Sequence, residues 1–325
     1  MIMGRPAAFR QVKSPLALHN SLGSLCGPDL QSGAPMILLS YNIQYGFGAD
    51  GAYDLARAAR VIEGADIVAL QEVERHWQRS RMHDQPARLS TLLPEYYTVY
   101  GPAFDMDAST REGSRIINRR RQFGPMILSR WPILWSRLHL LPMRRMIDPL
   151  NTQTAALEAC INAPTGPVRV FSLHLAHVGV EERLDQITHL QTVMANSAAA
   201  GPPWSGTDDE PARNWTEAHP EPPNPTSVIL MGDFNCEPDS AEMIRLLGTA
   251  PYHPAARYAG ALIDAALQCG VSLHTHSKQI AGQMRLRQLD HILISADLAP
   301  QLRRVWTDPQ EPASDHLPLW AELGF

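Results

Sequence analysis

The 325-residue chain has little cysteine, little charge and no long apolar run. Its four cysteines, Cys26, Cys160, Cys236 and Cys269, form no C-x-x-C pair. This excludes a disulfide-built scaffold and argues against a zinc ribbon. The cysteines are therefore expected to be reduced, in a cytoplasmic protein. No apolar stretch approaches the ~18–20 residues needed to cross a bilayer, and the N-terminus lacks the apolar segment of a secretory signal, so no transmembrane segment is expected. Charged residues make up 19%, against ~25% in an average soluble protein, which excludes a disordered polyelectrolyte. The 28 basic and 33 acidic side chains leave a net charge of -5. That balance speaks against coating nucleic acid by bulk charge. It leaves open an enzyme that meets a phosphate locally.

What is present is a large apolar fraction, 44%, and 27 prolines. Residues 1–34 show no strong period and read as an arm or a short helix, leaving 35–325 as a single catalytic domain. Apolar strands are expected at 36–46, 66–71, 125–128, 155–161, 168–175, 227–235, 289–294 and 317–323. Helical spacing marks 53–63, 86–93 and 181–195. Residues 105–121 are polar and read as an exposed loop. Seven prolines between 202 and 225, with almost no large aliphatic residue, mark 201–226 as a long loop insertion. Many short strands interspersed with helices point to a layered α/β protein with a site at one edge of its sheets.

Several strands end in a polar or charged residue. The segments are SYNIQ (Asn42), LQEVE (Glu72), FSLHLAH (His174), MGDFN (Asp233, Asn235), LDHIL (Asp290, His291) and SDHLP (Asp315, His316). One such residue is ordinarily a turn former, a helix cap or a satisfied core histidine. Six segments in one chain are harder to explain that way. Several unpaired buried carboxylates would each cost several kcal/mol, and a bound divalent cation relieves that cost.

The ordered set N…QE…H…GDxN…D…SDH resembles the endonuclease/exonuclease/phosphatase superfamily, with its DNase I-like fold. The match runs from about Met36 to Leu323. The resemblance implies a four-layered α/β sandwich of two packed mixed sheets flanked by helices. It implies Mg²⁺-dependent hydrolysis of a phosphoester by in-line attack of water, with Mn²⁺ as an alternative ion. Glu72 corresponds to the metal-binding glutamate, with Asn42 and Asp315 beside it. Asp233 corresponds to the aspartate that orients or deprotonates the water. Asn235 and His174 would donate to the phosphate. His316 would stabilise developing negative charge, held by Asp290 through a carboxylate–imidazole hydrogen bond. If 233–235 stays extended, Asp233 and Asn235 share a face. The chain departs from many relatives at Gln288, where they carry arginine, and at Pro125, before the strand ending MILS. Both departures bear on substrate contacts.

Further candidates are weighed on the residues alone. His177 follows His174 by three positions, but i and i+3 of a strand face opposite ways, which argues against a zinc pair. His76 follows the glutamate segment and is a candidate lining residue, as are His274 and His276. Arg119, Arg120 and Arg121 could grip a second phosphate or a nucleic-acid backbone, although a solvated surface run is the commoner use of such a triplet. LQEV and GDFN resemble the lipid-directed and general members of the superfamily, and that resemblance implies a small or lipid-linked phosphoester, with a DNA or RNA nuclease as the alternative. A catalytically inactive binding module is a third reading, opposed by the completeness of the set. No H-E-x-x-H run supports a zinc hydrolase.

Overall fold

The computed structural model describes residues 34–210, 212–248, 260–280 and 282–325. The expectation for residues 1–34 lies almost wholly outside them. In chain order the first half carries β1 (Met36–Asn42), α1 (Leu55–Ile62), β2 (Ile67–Arg75), α2 (Gln85–Leu92), β3 (Tyr97–Tyr100), β4 (Phe104–Asp107), β5 (Thr110–Glu112), β6 (Arg115–Ile117) and β7 (Arg120–Ser129). The second half carries β8 (Ile133–Leu140), β9 (Ala155–Ala163), β10 (Gly166–His174), α3 (Val180–Ala195), α4 (Ser197–Ala200), β11 (Val228–Asp233) and α5 (Ala241–Leu247). It continues with β12 (Leu262–Asp264), α6 (Ala265–Gln268), β13 (His276–Ile280), β14 (Gln283–Arg287), β15 (Asp290–Ser295), β16 (Leu302–Thr307) and β17 (Leu319–Leu323).

Two mixed sheets form the body. The first runs β16-β17-β1-β2-β7-β3, with β4 also on β7, and the second runs β12-β15-β11-β10-β9-β8. Their strands read as unbroken apolar runs because both faces are covered. Leu38, Ile67, Ala69, Val170, Ile229, Met231 and Ile292 point between the sheets. Their neighbours Leu39, Val68 and Leu70 pack outward with Leu55, Ile62 and Leu89 of α1 and α2. On the far side Phe171, Leu173, Leu230 and Leu293 pack with Ile187 and Leu190 of α3 and Met243 of α5. Three apolar interfaces between helices, sheet, sheet and helices make the four layers, as expected. Helices α1, α2 and α5 start on side-chain caps: Asp54 accepts from Ala56 N, Asp84 from Ala87 N, and Ser240 from Met243 N.

Some expectations need correction. Residues 105–121 are not a loop. They hold β4, the β5–β6 hairpin and the start of β7, built from polar residues because these strands are mostly exposed on both faces. The 201–226 insertion is irregular, but it packs back on the second sheet through Trp135 Nε1 donating to Pro223 O and on α4 through Asn224 Nδ2 donating to Ser197 O. Cys160 and Cys236 are free and buried, but Cys269 is disulfide-bonded. No helix among the described residues is long and apolar enough to cross a membrane.

Candidate active site

The two parallel pairs, β1-β2 and β10-β11, end at the same edge of the sandwich. Strand register brings the polar residues together there. Asn42 aligns with Gln71, His174 with Asp233, and Asp233 with Asp290. Aligned residues share a face, and the period of two puts Asn42, His174, Asp233 and Asp290 on the same side as Leu38, Val170, Met231 and Ile292. They therefore line the cleft between the sheets. Gly232 makes the β10-β11 approach possible, since a Cβ there would run into the carbonyl of Leu173.

Alternation alone would point Glu72 outward, away from the cleft. A β-bulge between Leu70 and Val73 changes this. Glu72 takes a left-handed φ of 61°, and its carboxylate turns to accept from Asn42 Nδ2 at 3.1 Å. The same amide nitrogen donates to Asp233 Oδ2 at 3.1 Å. Asn42 Oδ1 meanwhile accepts from Gln44 N. Asn42 thus holds two carboxylates in place, and its own oxygen is engaged by the backbone. Gln44 Nε2 donates to Asp315 Oδ2 at 2.9 Å.

Asn235 is not extended. β11 stops at Asp233, and Asn235 has a φ of 52°, so the shared-face argument fails. A tight turn brings the backbone N–H of Asn235 onto Asp233 Oδ1 at 2.9 Å, while Asn235 Nδ2 donates to Leu175 O. His291 ties this turn down from the outer face, with Nδ1 on Asp264 Oδ2 at 2.7 Å and Nε2 on Cys236 O at 3.1 Å. Gln288 lies against that same imidazole, which places it in the support of the site.

His316 lies between two carboxylates. Its Nδ1 is 2.7 Å from Asp290 Oδ2 and its Nε2 is 3.7 Å from Asp233 Oδ2. Burial disfavours the imidazolium, but Asp290 and Asp233 outweigh it and push the pKa up to about 10. Asp233 is also buried, yet His316, His174 and the Asn235 N–H hold its carboxyl below the usual range. His174 Nε2 is 3.5 Å from Asp233 Oδ2. Burial raises Asp290, whose Oδ1 has no partner, and raises Glu72. Thr275 Oγ1 accepts from the N–H groups of Leu289 and Asp290 and sets the entry to β15.

Asn42, Glu72, His174, Asp233, Asn235, Asp290, Asp315 and His316 thus converge. The lesser candidates do not all follow them. His177 lies beside the cluster, its cation disfavoured by burial and by His174. His76 is turned to Arg120 O. Arg120 is paired with Asp105, the backbone of Arg119 is bonded to Ser109, and Arg121 lies 5.7 Å over Trp77. His276, noted only as a bordering residue, is in the site: its ring centre is 4.8 Å from that of His316. Burial, His316 and Arg287 push it down to about 4. Gln44 and Ser314 were not singled out, although YNIQ and SDH contain them. Ser314 Oγ donates to Asn42 O and accepts from His316 N. Two cavities of about 290 and 410 Å³ lie beneath α3, around the buried Arg169, and are lined by none of these residues.

The donor set fits a hard divalent cation. Glu72 and Asp315 offer carboxylate oxygens, with the cleft open to water and substrate oxygens. Asp233, Asp290 and His316 also present ligand-type atoms within 4.8 Å of one another. There, however, Asp290 already engages His316 Nδ1, and a proton on the ring balances the two acids.

Fold and site define a phosphoesterase-type α/β sandwich. The family model of the endonuclease/exonuclease/phosphatase family matches residues 39–316, and the chain belongs to that family. No curated protein matches the sequence. Among solved structures, the family protein from Leptotrichia buccalis is 16% identical, with 89% of this chain and 100% of that chain covered at a TM-score of 0.58. The family protein from Bacteroides vulgatus is 17% identical over 90% of this chain and 100% of that one, TM-score 0.57. A mannosyl-6-phosphatase from Bacteroides thetaiotaomicron is 18% identical over 89% and 100%, TM-score 0.54. These likenesses show the shared fold.

Proposed function

We propose that this chain is a Mg²⁺-dependent hydrolase of a small or lipid-linked phosphoester, able to use Mn²⁺, with residues 35–325 as one catalytic domain. The observation that carries the reading is the Asp290–His316–Asp233 array beside Glu72. It joins a cation-binding carboxylate, an acceptor for a water proton and a fixed positive charge within one cleft.

Glu72 and Asp315 would hold the cation, with Asn42 and Gln44 orienting those carboxylates. When bound, the cation supplies Lewis-acid polarisation of a phosphoryl oxygen. Asp233 accepts a hydrogen bond from the attacking water and aims it in line. Its depressed pKa makes it a weak base in the resting site, so the proton transfers only as the new P–O bond forms. His316 stays cationic at neutral pH and donates from Nε2 to a phosphoryl oxygen as charge develops. His174 donates beside it. Asp290 keeps the imidazolium charged and fixes its ring. Asn235 braces Asp233 through its N–H.

A nuclease is the second reading, favoured by one observation. Arg79 stacks over Tyr45 at 3.9 Å and Trp77 at 4.6 Å, with Arg121 on the other end of the ladder. Such a strip suits base stacking and backbone phosphates. The test is a panel of bis-nitrophenyl phosphate, a sugar phosphate, sphingomyelin, phosphoinositide, abasic DNA and RNA with Mg²⁺. Turnover of the small or lipid esters with intact polynucleotides supports the first reading. Selective polynucleotide cleavage would replace it with the second.

A further inference from the structure

Between Asp264 and Asp290 the chain carries no acidic residue, yet it holds Lys278, Arg285 and Arg287. These three lie on the β13-β14 hairpin, whose register pairs His276 with Arg287 and Lys278 with Arg285. Directly opposed residues share a face of a hairpin, and so do residues two apart along a strand. One face therefore collects His276 and all three cations. The other carries Ser277, Gln279, Met284 and Leu286. His276 fixes where the first face points, because its ring centre is 4.8 Å from that of His316. The root of the hairpin is tied to the site on both sides. Leu317 N, next to His316, donates to Thr275 O, and Thr275 Oγ1 accepts from Asp290 N.

These cations have no protein anion to hold. Elsewhere Arg57, Arg130, Arg144 and Arg304 each hold a carboxylate. Among the described residues Lys278, Arg285 and Arg287 are ion-paired with none. Arg287 Nη2 donates to His276 Nδ1 at 3.1 Å, and the buried Arg287 Nε has no partner. Lys278 and Arg285 are exposed. Like charges directly across a strand pair are destabilising, and a hairpin this exposed buries little to offset them. Charges that only kept such a hairpin in solution would serve on either face. Gathered on the face that His276 turns to the site, they suit a bound anion. Lys278 and Arg285 stand about 7 Å farther out than His276 and Arg287, so they would meet a group beside the phosphate at His316. The next pair outward, Ile280 and Gln283, is uncharged, and the run is too short to track a polynucleotide backbone.

We propose that the β13-β14 hairpin binds a second phosphate of the substrate, so that the preferred substrate is a small or lipid-linked phosphoester with another phosphate beside the scissile one. This rests on the phosphoesterase reading above for the place of the first phosphate. The test is calorimetric binding, by the full chain with Mg²⁺, of two probes. One is butylphosphonate, and the other carries a phosphonate at each end of the same four-carbon chain. Their C–P bonds are not phosphoesters, so binding is read whether or not the protein turns over. Native protein should bind the bisphosphonate about tenfold or more tightly, by a margin that shrinks as salt is raised. In K278Q/R285Q the margin should fall to about twofold, the advantage of a ligand with two equivalent ends, while butylphosphonate binds as before. M284Q/L286Q, on the opposite face, should keep the native margin. Equal binding of the two probes by native protein, binding of neither, or a margin that survives in K278Q/R285Q would each overturn the proposal. Loss of butylphosphonate binding in K278Q/R285Q would also overturn it, by making these cations part of the first phosphate's site. No margin in native protein, with slower DNA or RNA cleavage by K278Q/R285Q, would assign them to the nuclease reading instead. Native turnover of bis-nitrophenyl phosphate is followed in parallel. Its absence would sink the catalytic reading and leave the binding comparison to decide the proposal.

Discussion

Replacing Asp290 by asparagine removes a charge and almost no volume. The carboxylate is fully buried, 2.7 Å from His316 Nδ1. Asparagine can still accept that hydrogen bond, so the ring keeps its place. What changes is the imidazolium. Asp290 and Asp233 together hold His316 at about 10 against an ordinary 6.5, a hold of several kcal/mol at about 1.4 kcal/mol per tenfold in proton affinity. Asp290 lies closer than Asp233, so most of the hold goes with it, and burial then favours the neutral ring. In Asp290→Asn, His316 should lose its proton within the neutral range. Turnover of an activated phosphodiester with Mg²⁺ should fall on the order of tenfold to a hundredfold. The deficit should be larger at about pH 8 than at about pH 6, where the ring regains its charge. Circular dichroism must show a folded variant at both pH values. A folded variant whose deficit is the same at both pH values, or absent, would refute the assignment of His316 as a fixed positive charge.

Gln44→Leu frees Asp315 from its donor, and the Mg²⁺ concentration for half-maximal activity should rise about tenfold with little change in the maximal rate, read from a metal titration. Proton NMR of the metal-free protein should find the stacked pair split, with His316 cationic at pH 7 and titrating near 10, and His276 neutral until about 4. The linkage signs are opposite. His316 contributes stability fully present below about pH 6.5 and lost as the pH rises through about 10, whereas His276 costs stability as the pH falls from about 6.5 toward 4; urea unfolding across that range checks both. Phe234→Ala, in a fully buried position beside the Asp233 turn, should cost about 3–5 kcal/mol in denaturant unfolding.

The four layers were legible because the central strands are buried twice over. Runs such as MILL, DIVAL and SVILM carry apolar residues to both faces, and helical spacing gave α1, α2 and α3 to within a residue or two. The exposed hairpins were not legible. β5-β6 and β13-β14 bury little, so their residues are those of a loop. At the site, the strand-end residues stood out by type, and register then joined them. The backbone turns did not stand out. Glu72 and Asn235 adopt left-handed φ without being glycine, and the bulge that turns Glu72 inward leaves no compositional mark. Gln44 and His276 act through partners some 270 and 40 residues away in the chain. No local pattern encodes such a pairing.

The central claim is tested most directly by following one reaction, Mg²⁺-dependent hydrolysis of bis-nitrophenyl phosphate, in native and Asp233→Asn protein with calorimetric cation binding on the same samples. The account predicts that native turnover stops in EDTA and returns with Mg²⁺. It predicts that Asp233→Asn still binds the cation through Glu72 and Asp315 but turns over at least about a thousandfold more slowly. Turnover that persists in EDTA, or that survives in Asp233→Asn, would contradict it.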